Sequence, residues 1–487
     1  MRVLVYADDV IGVHYATNLE IAAKHVEQGD EVHLLLCHGD LGNCPSNNCH
    51  DRKVCLLCKS KQAAGLASEV MERTQKHVLD LSRYRDLNLP DLQTVEELKN
   101  FSLDGINHGM EAASSLISTF RDSKPDMDEK RRTARGSLFT AVALYRESNR
   151  LLDEIKPDLC YLLNGRRASQ MPMVRALQGK QIRFYTFEVG HNWKKYILIE
   201  NTYFHDLENK KVQIEKYWSD PTPLAEKERL GHQFYHDRRF GSGDDYPEAI
   251  YKRNQNKGVL PEGFDPSKRN IAIFNSSEDE FAAIEGYDNP VYKDQIEGLS
   301  RIAHSSDIDP NIRLYLRVHP NLGRISNHQT ESIARLDAGN LVVIPANASV
   351  DSYALMEASE KVLTFGSAMS IESAYAGKPS ILIGREPYEA VGSCYTPKSH
   401  EEAIELLNDR QLPTLPLLGA LKYGYYMVAR DVAYQYYDPA TNTFSGRKLE
   451  PGPLAIKAVE ALQNGPLRRV NNWKRFILDQ IGPSRPF

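Results

Sequence analysis

Short apolar runs alternate with segments of helical period along most of this chain. Residues 2–6 read as a strand, 16–28 as a helix, and Glu31 to Leu36 as a second strand after a Gly29-Asp30 turn. Residues 37–61 break the pattern and read as an irregular cysteine-rich insertion. Residues 62–156 follow a mostly helical pattern, with a charged interruption from Arg121 to Arg135. The helix around Leu138, Val142, Tyr145 and Leu152 ends before Pro157. Leu159 to Leu163 is then a strand, followed by Asn164-Gly165-Arg166, a helix, and a strand at Ile182 to Phe187. Strands alternating with helices predict a mainly parallel sheet covered on both faces.

Residues 218–268 have many charges and few apolar runs. They read as a connection between domains, with a helix near Ala225 to Asp237. A second β/α series opens at Asn270 to Phe274. Strands recur at Ile312 to Val318, Leu341 to Ile344, Val362 to Phe365 and Ile381 to Ile383, with helices in the gaps. Between the last two strands, Gly366-Ser367 breaks the run and helical spacing resumes from Ser370 to Ala376. Gly377-Lys378-Pro379 stops that helix. Residues 452–481 return to helix, with Leu467, Val470, Trp473, Phe476, Ile477 and Ile481 near one face and Arg468, Arg469, Lys474 and Arg475 beside them. A basic amphipathic helix suits docking on protein or lying on anionic lipid. The expected division is a first Rossmann-like domain over 1–265, carrying insertions at 37–61 and 62–156. A second domain follows over 266–450, and a terminal helix over 451–487.

The 487 residues exceed one ordinary core, so two domains are the default. A formal charge of −5, from 60 basic and 65 acidic residues, argues against general nucleic-acid binding. No apolar run approaches the roughly 18 residues of a membrane span. The start, Met1-Arg2-Val3-Leu4-Val5-Tyr6-Ala7-Asp8-Asp9, meets acids too early for a signal peptide. The expectation is a cytoplasmic protein, with the cytoplasmic membrane face as its one membrane contact.

In an open parallel sheet the strand C-termini share one edge, and ligands bind there. Four segments of the second series occupy such ends: Phe274 to Glu280, Arg317-Val318-His319-Pro320-Asn321, Gly366 through Glu372, and Gly384-Arg385-Glu386-Pro387-Tyr388. Ser276 and Ser277 offer hydroxyl donors for phosphate. Arg317 and His319 offer neutralisation of a phosphate leaving group. Gly366, Ser367 and Ser370 stand where a helix N-terminus would present free N–H groups. Glu372, one turn on, offers hydrogen bonds to ribose hydroxyls. With Arg, His and a helix N-terminus in those roles, no catalytic metal is required.

These segments, together with Val350-Asp351-Ser352-Tyr353, Gly377-Lys378-Pro379 and Gly384, resemble bacterial capsule and surface-polysaccharide glycosyltransferases of the GT-B fold. The His-Pro step and the serine motif are similar to those of sialyl- and Kdo-transferases and teichoic-acid polymerases. The resemblance covers residues 270–400, with a looser match at Asn164-Gly165-Arg166 and Glu188-Val189-Gly190. It implies two facing Rossmann-like domains, with a final helix crossing back to the first. It also implies metal-independent transfer of a sugar to a growing capsule or lipopolysaccharide glycan. The donor would sit in the second domain, a CMP-sugar by preference or a UDP- or GDP-sugar. The acceptor would sit in the first, with Asn164, Arg166 and His191 at its strand ends. A nucleotide-sugar epimerase of the same shape is the alternative, and a non-catalytic assembly component a third reading. Transfer with inversion needs a base for the acceptor hydroxyl's proton. Asp9 or His14, after the first strand, fills that role, with Glu188 as the second choice.

Five of the seven cysteines fall between residues 37 and 58. Cys37, Cys44, Cys49, Cys55 and Cys58, with His38 and His50 among them, suit a structural Zn²⁺ or an iron–sulfur cluster. Only Cys55-Leu56-Leu57-Cys58 has the close metal-clip spacing, and a redox-sensitive pair or unrelated thiols is the alternative.

Overall fold

The structure is a computed structural model, and it describes residues 1–8, 13–44, 46–47, 51–241 and 246–464. The chain forms two compact units. The first comprises Met1–Thr119, Asp126–His205 and the segment from Asp431 onward; the second comprises Phe120–Pro125 and Asp206–Arg430. Residues 206–265, which composition assigns to the first domain, thus belong with the second. The Leu207–Trp218 and Leu224–Phe240 helices pack there against the Leu417–Ala429 helix. Gly231 and Gly424 allow the closest approach. A Cβ on Gly231 would lie 2.8 Å from the Leu421 carbonyl oxygen, and one on Gly424 would lie 2.6 Å from that of Gly231.

The first unit carries strands β1 (Arg2–Ala7), β2 (Glu31–Cys37), β3 (Gln75–Leu79), a small hairpin of β4 (Ser102–Leu103) and β5 (Ile106–Asn107), then β6 (Leu159–Leu163), β7 (Arg183–Val189) and β8 (Lys195–Glu200). The second carries β9 (Arg269–Asn275), β10 (Ile312–Arg317), β11 (Leu341–Ile344), β12 (Lys361–Phe365) and β13 (Ser380–Leu382). On returning to the first unit the chain adds β14 (Asp431–Ala433). The large sheet runs β14-β8-β7-β6-β1-β2-β3, parallel from β3 to β7 and antiparallel at β8 and β14. The second sheet, β11-β10-β9-β12-β13, is parallel throughout.

The central strands of both sheets are buried on both faces, as the apolar runs predict. In β1, Val3 and Val5 enter one core while Leu4 and Tyr6 enter the other. In β9, Ile271 and Ile273 face one cluster, and Ala272 and Phe274 the other. Each fully buried aliphatic side chain stabilises the fold by about 1.5–3 kcal/mol. Both sheets also reverse strand order beside their first strand, between β1 and β6 and between β9 and β12. The crevice outside the C-terminal ends at such a reversal is where ligands bind in open α/β sheets.

Two of these expectations change. Residues 62–156 contain β3 and a hairpin besides helices; β3 is a mostly exposed edge strand and lacks the apolar signal of a buried one. The cysteine-rich insertion is half helix. Residues Arg52–Leu66 are helical, with Asp51 accepting a hydrogen bond from the Lys53 N–H at 2.8 Å. Of the last segment, the Pro453–Asn464 helix is described and packs on the Arg52–Leu66 helix. The rest of the expected terminal helix, Trp473 included, lies outside the described residues. Among the described residues no helix is long and apolar enough to cross a membrane.

Glu20 anchors the returning segment. Its carboxylate is fully buried and accepts backbone N–H groups of Gln435 (2.7 Å), Tyr436 (2.7 Å) and Tyr437 (3.0 Å). Lys24 lies 3.1 Å away and also donates to the Ala433 carbonyl. Buried charge of this kind is retained only when its lone pairs are satisfied.

Candidate functional site

In the first unit, three of the sequence-derived residues meet at the β1/β6 reversal. Glu188, near the end of β7, accepts from Asn164 Nδ2 at 2.7 Å and from the Val189 N–H at 3.1 Å. Its Oε1 lies 3.2 Å from His14 Nε2. Burial works against ionising this carboxyl, but the contacts with His14, Asn164 and the backbone outweigh it and hold its pKa down to about 2. A charged Glu188 favours the tautomer with the proton on His14 Nε2, as in other carboxylate–histidine pairs.

Local backbone chemistry builds this arrangement. Asn164 takes a left-handed conformation, φ 47°, which Asn tolerates through local hydrogen bonding. Gly165 follows at φ 89°, and a Cβ there would lie 2.7 Å from Tyr203 Cβ. This turn aims the Asn164 amide at Glu188. Arg166 is directed to Ser118, with Nη2 2.8 Å from the hydroxyl oxygen. Asp8 is buried and accepts from Gln170 Nε2 at 2.7 Å. The His191 N–H donates to Asp431 at 2.9 Å. Asp9 lies outside the described residues.

In the second unit the strand ends also converge, but several expected ligand contacts are already used within the protein. Arg317 is 2 % exposed, and its guanidinium donates to the Val318, Pro345 and Ala348 carbonyls. Burial pushes its pKa down to about 10. It ties loops together and is not presented to a phosphate. Ser276 Oγ donates to the Phe365 carbonyl at 2.8 Å and accepts from Gln295, so it clips β9 to β12. Ser277 is buried and donates to Asp279. Ser370 lies in the core against Ser380 and Cys394. Glu372 has one carboxylate oxygen on Arg238 (2.7 Å) and the other on the Tyr353 hydroxyl. The expected contacts of Arg317, Ser276, Ser277, Ser370 and Glu372 with a ligand are therefore replaced by internal ones.

His319, Gly366 and Ser367 retain partial exposure. His319 Nδ1 accepts the Asn321 N–H at 3.2 Å, which places the ring proton on Nε2. Burial and the nearby Arg121 and Arg317 lower its pKa to about 4, so it is a neutral donor at pH 7. The neighbouring Asn321 amide donates to Glu280 at 3.0 Å. Gly366, φ 73°, approaches Gly384 so closely that a Cβ on Gly384 would stand 2.7 Å from the Gly366 nitrogen. Glu386 and its charged neighbours Lys210, Arg238 and Glu280 complete this edge. Sequence reasoning placed Glu386 in a strand-end segment but gave it no role. Arg238 was hidden because it comes from a helix inside the segment read as a connection, and Lys210 comes from the Leu207–Trp218 helix just before it.

Cys37, Cys44, Cys55 and Cys58 line a cavity of about 20 Å³ together with Asp8 and His38. The Cys37 sulfur accepts from the Gly39 N–H and the Cys55 sulfur from Asn47. Burial pushes the Cys37 thiol up to about 11. None of the four is in a disulfide, and Cys49 and His50 lie outside the described residues. Among the described residues no three His, Cys, Asp or Glu side chains are grouped to hold a metal ion. The expected zinc or iron–sulfur site is thus not supported: the thiols share a cavity without converging on one point.

No family model and no curated protein matches the chain. Among solved structures, it is similar to Thermosulfurimonas dismutans KpsC, described as a beta Kdo 2,7 transferase. The identity is 16 % over 66 % of this chain and 89 % of that one, with a TM-score of 0.36. The KpsC structure described as a beta Kdo 2,4 transferase gives 15 % identity over 63 % and 87 %, with a TM-score of 0.38. A UDP-GlcNAc 2-epimerase from Neisseria meningitidis, bound to UDP-GlcNAc, gives 12 % over 96 % and 100 %, with a TM-score of 0.28. At TM-scores this low the likenesses transfer neither fold nor activity to this chain.

Proposed function

We propose that the chain is a glycosyltransferase that moves a sugar from a nucleotide-activated donor to a growing capsule or lipopolysaccharide glycan. The observation that carries this reading is the His14–Glu188 pair, held by Asn164 at the strand-order reversal of the first sheet. An acceptor hydroxyl attacking an anomeric carbon must lose its proton as the bond between that carbon and the phosphate oxygen breaks. His14, oriented by Glu188, takes the proton, and Glu188 stabilises the imidazolium that forms. The donor phosphate leaves with the electron pair of the broken bond. At the second sheet's edge, His319 Nε2–H and the Gly366-Ser367 turn supply neutral donors to the phosphate. A CMP-sugar is the preferred donor, with UDP- and GDP-sugars as the other members of the class.

The test is nucleotide release from CMP-, UDP- and GDP-sugars with and without a polysaccharide acceptor. Acceptor-dependent release by the wild type, lost in His14→Ala while nucleotide binding persists, is the expected result. Absence of release and of nucleotide binding would overturn the reading. Epimerised donor without transfer would replace it by the epimerase.

A further inference from the structure

Four cysteines line the cavity of about 20 Å³ in the first unit, and the proposed transfer chemistry uses none of them. They are not equivalent. Cys37 ends β2 and is buried, which pushes its thiol up to about 11. Cys44 lies beyond β2 and packs against the core cluster of Leu4 and Tyr6. Cys55 and Cys58 are both half-buried and belong to one helix, Arg52–Leu66. Three positions apart on a helix, they share a face, with Cβ atoms about 5–6 Å apart. Their partial exposure lets a soluble oxidant reach them, which the burial of Cys37 denies. The Asn47 amide donates to the Cys55 sulfur at 3.2 Å and holds it at the cavity that Cys58 also lines.

We propose that Cys55 and Cys58 form a reversible oxidation site, closed to a disulfide by a small soluble disulfide and coupled to the helix that carries His14. The Cys55 thiolate attacks one sulfur of the oxidant, whose S–S bond breaks and whose far sulfur leaves as a thiolate. The Cys58 thiolate then attacks the Cys55 sulfur and releases the other. The cysteine pair gives up two electrons and, through water, two protons; the oxidant is reduced to two thiols. A disulfide holds its Cβ atoms about 3.5–4.5 Å apart, so closure draws this turn in by about 1–2 Å. The helix tightens there toward the 3₁₀ winding in which positions three apart eclipse. That turn bears on the Val13–Glu27 helix. Cys58 packs against the cluster containing Tyr15, Ala16 and Leu19. The Tyr15 hydroxyl donates to the Gln62 carbonyl at 2.8 Å, and the Gln62 amide to the Cys37 carbonyl at 3.1 Å. At Gly65 the two helices meet so closely that a Cβ would stand 2.5 Å from Leu19 Cδ1. Contacts this dense pass a shift on to their neighbours. Oxidation therefore displaces the segment around His14 and slows transfer. The effect on transfer rests on the reading of His14 as the base; the disulfide and its effect on the helix do not.

Equilibrating the full chain in glutathione buffers of graded thiol-to-disulfide ratio, then blocking thiols with iodoacetamide, reads the site directly. Lys53 and Lys59 flank the pair, so trypsin delivers both cysteines in one peptide, residues 54–59. In the oxidising buffers this peptide should lose both alkyl groups, and it should regain them when dithiothreitol precedes the block. Amide exchange of residues 13–19 should change on oxidation of the wild type and stay unchanged in Cys58→Ser. Acceptor-dependent nucleotide release should fall about tenfold in the oxidised wild type, recover on reduction, and hold in Cys55→Ser and Cys58→Ser. A 54–59 peptide that stays alkylated, or that carries glutathione without closing, overturns the inference. A cross-link from either cysteine to Cys37, Cys44 or Cys49 overturns it as well, as does a closed pair that moves neither exchange nor release. Absence of release in every form would remove the proposed function instead, and peptide mass and amide exchange would still decide this inference.

Discussion

Replacing Glu188 by Gln tests the pair on which the proposed chemistry depends. The amide is isosteric but carries one acceptor oxygen, while His14, Asn164 and the Val189 N–H all contribute contacts to the carboxylate. The native pKa of about 2 against an ordinary glutamate value of 4.5, at about 1.4 kcal/mol for each tenfold change in proton affinity, amounts to about 3 kcal/mol. The side chain is 20 % exposed, so the figure needs no large discount for solvent screening. The sign follows from linkage. A carboxyl with a depressed native pKa adds stability above its unfolded pKa and loses it as pH falls toward the native one. For these two values the loss is about 0.8 kcal/mol at pH 4 and about 2 kcal/mol at pH 3, relative to pH 7. Guanidinium unfolding should be followed by pulsed hydrogen exchange on peptides from β1 and β7, so that the first unit's transition is read separately. The difference between wild type and Glu188→Gln should shrink by those amounts as the pH is lowered. In steady-state assays the same variant should lose about 10²–10⁴ in kcat and leave nucleotide Kd unchanged, the range of a general-base contribution. Stability curves that run parallel from pH 7 to pH 3 would refute the electrostatic account of the pair.

The remaining predictions concern other contacts. Glu20→Ala leaves three backbone N–H groups of residues 435–437 without their acceptor; at about 1–3 kcal/mol each the loss should be about 4 kcal/mol, seen as a lower unfolding midpoint and faster exchange of those amides. Arg317→Ala leaves carbonyls at Val318, Pro345 and Ala348 unpaired and should cost about 3 kcal/mol, with nucleotide affinity changing by less than about threefold below the melting temperature; a large affinity loss at full stability would return Arg317 to the ligand. Glu386 has a native pKa raised to about 8 from 4.5, so the native state holds a proton that the unfolded chain has released between those values. Stability should therefore fall as pH rises from 4.5 through 8, and denaturation of Glu386→Gln should lack that component.

Much of the architecture was legible because burial on both faces leaves a plain record. Val3 to Tyr6 and Ile271 to Phe274 are continuous apolar runs, and only a covered parallel strand needs one. β3 was invisible for the converse reason, since an exposed edge strand has no apolar face to declare. At the sites, the sequence supplied residue types near strand ends, and topology does the rest. His14 and Glu188 stood as separate choices because 174 positions part them, yet the sheet order brings their loops to one edge. Nothing local distinguishes an arginine that will meet phosphate from one that will meet three carbonyls. That difference is made by the loop after β11, remote in sequence from Arg317. Glu372 is a second case of the same kind. Arg238, from a helix read as a connection, pairs with Glu372 across 134 positions. Residue type and strand-end position locate an edge that can bind; the partners supplied from distant helices decide which side chain on that edge remains to do so.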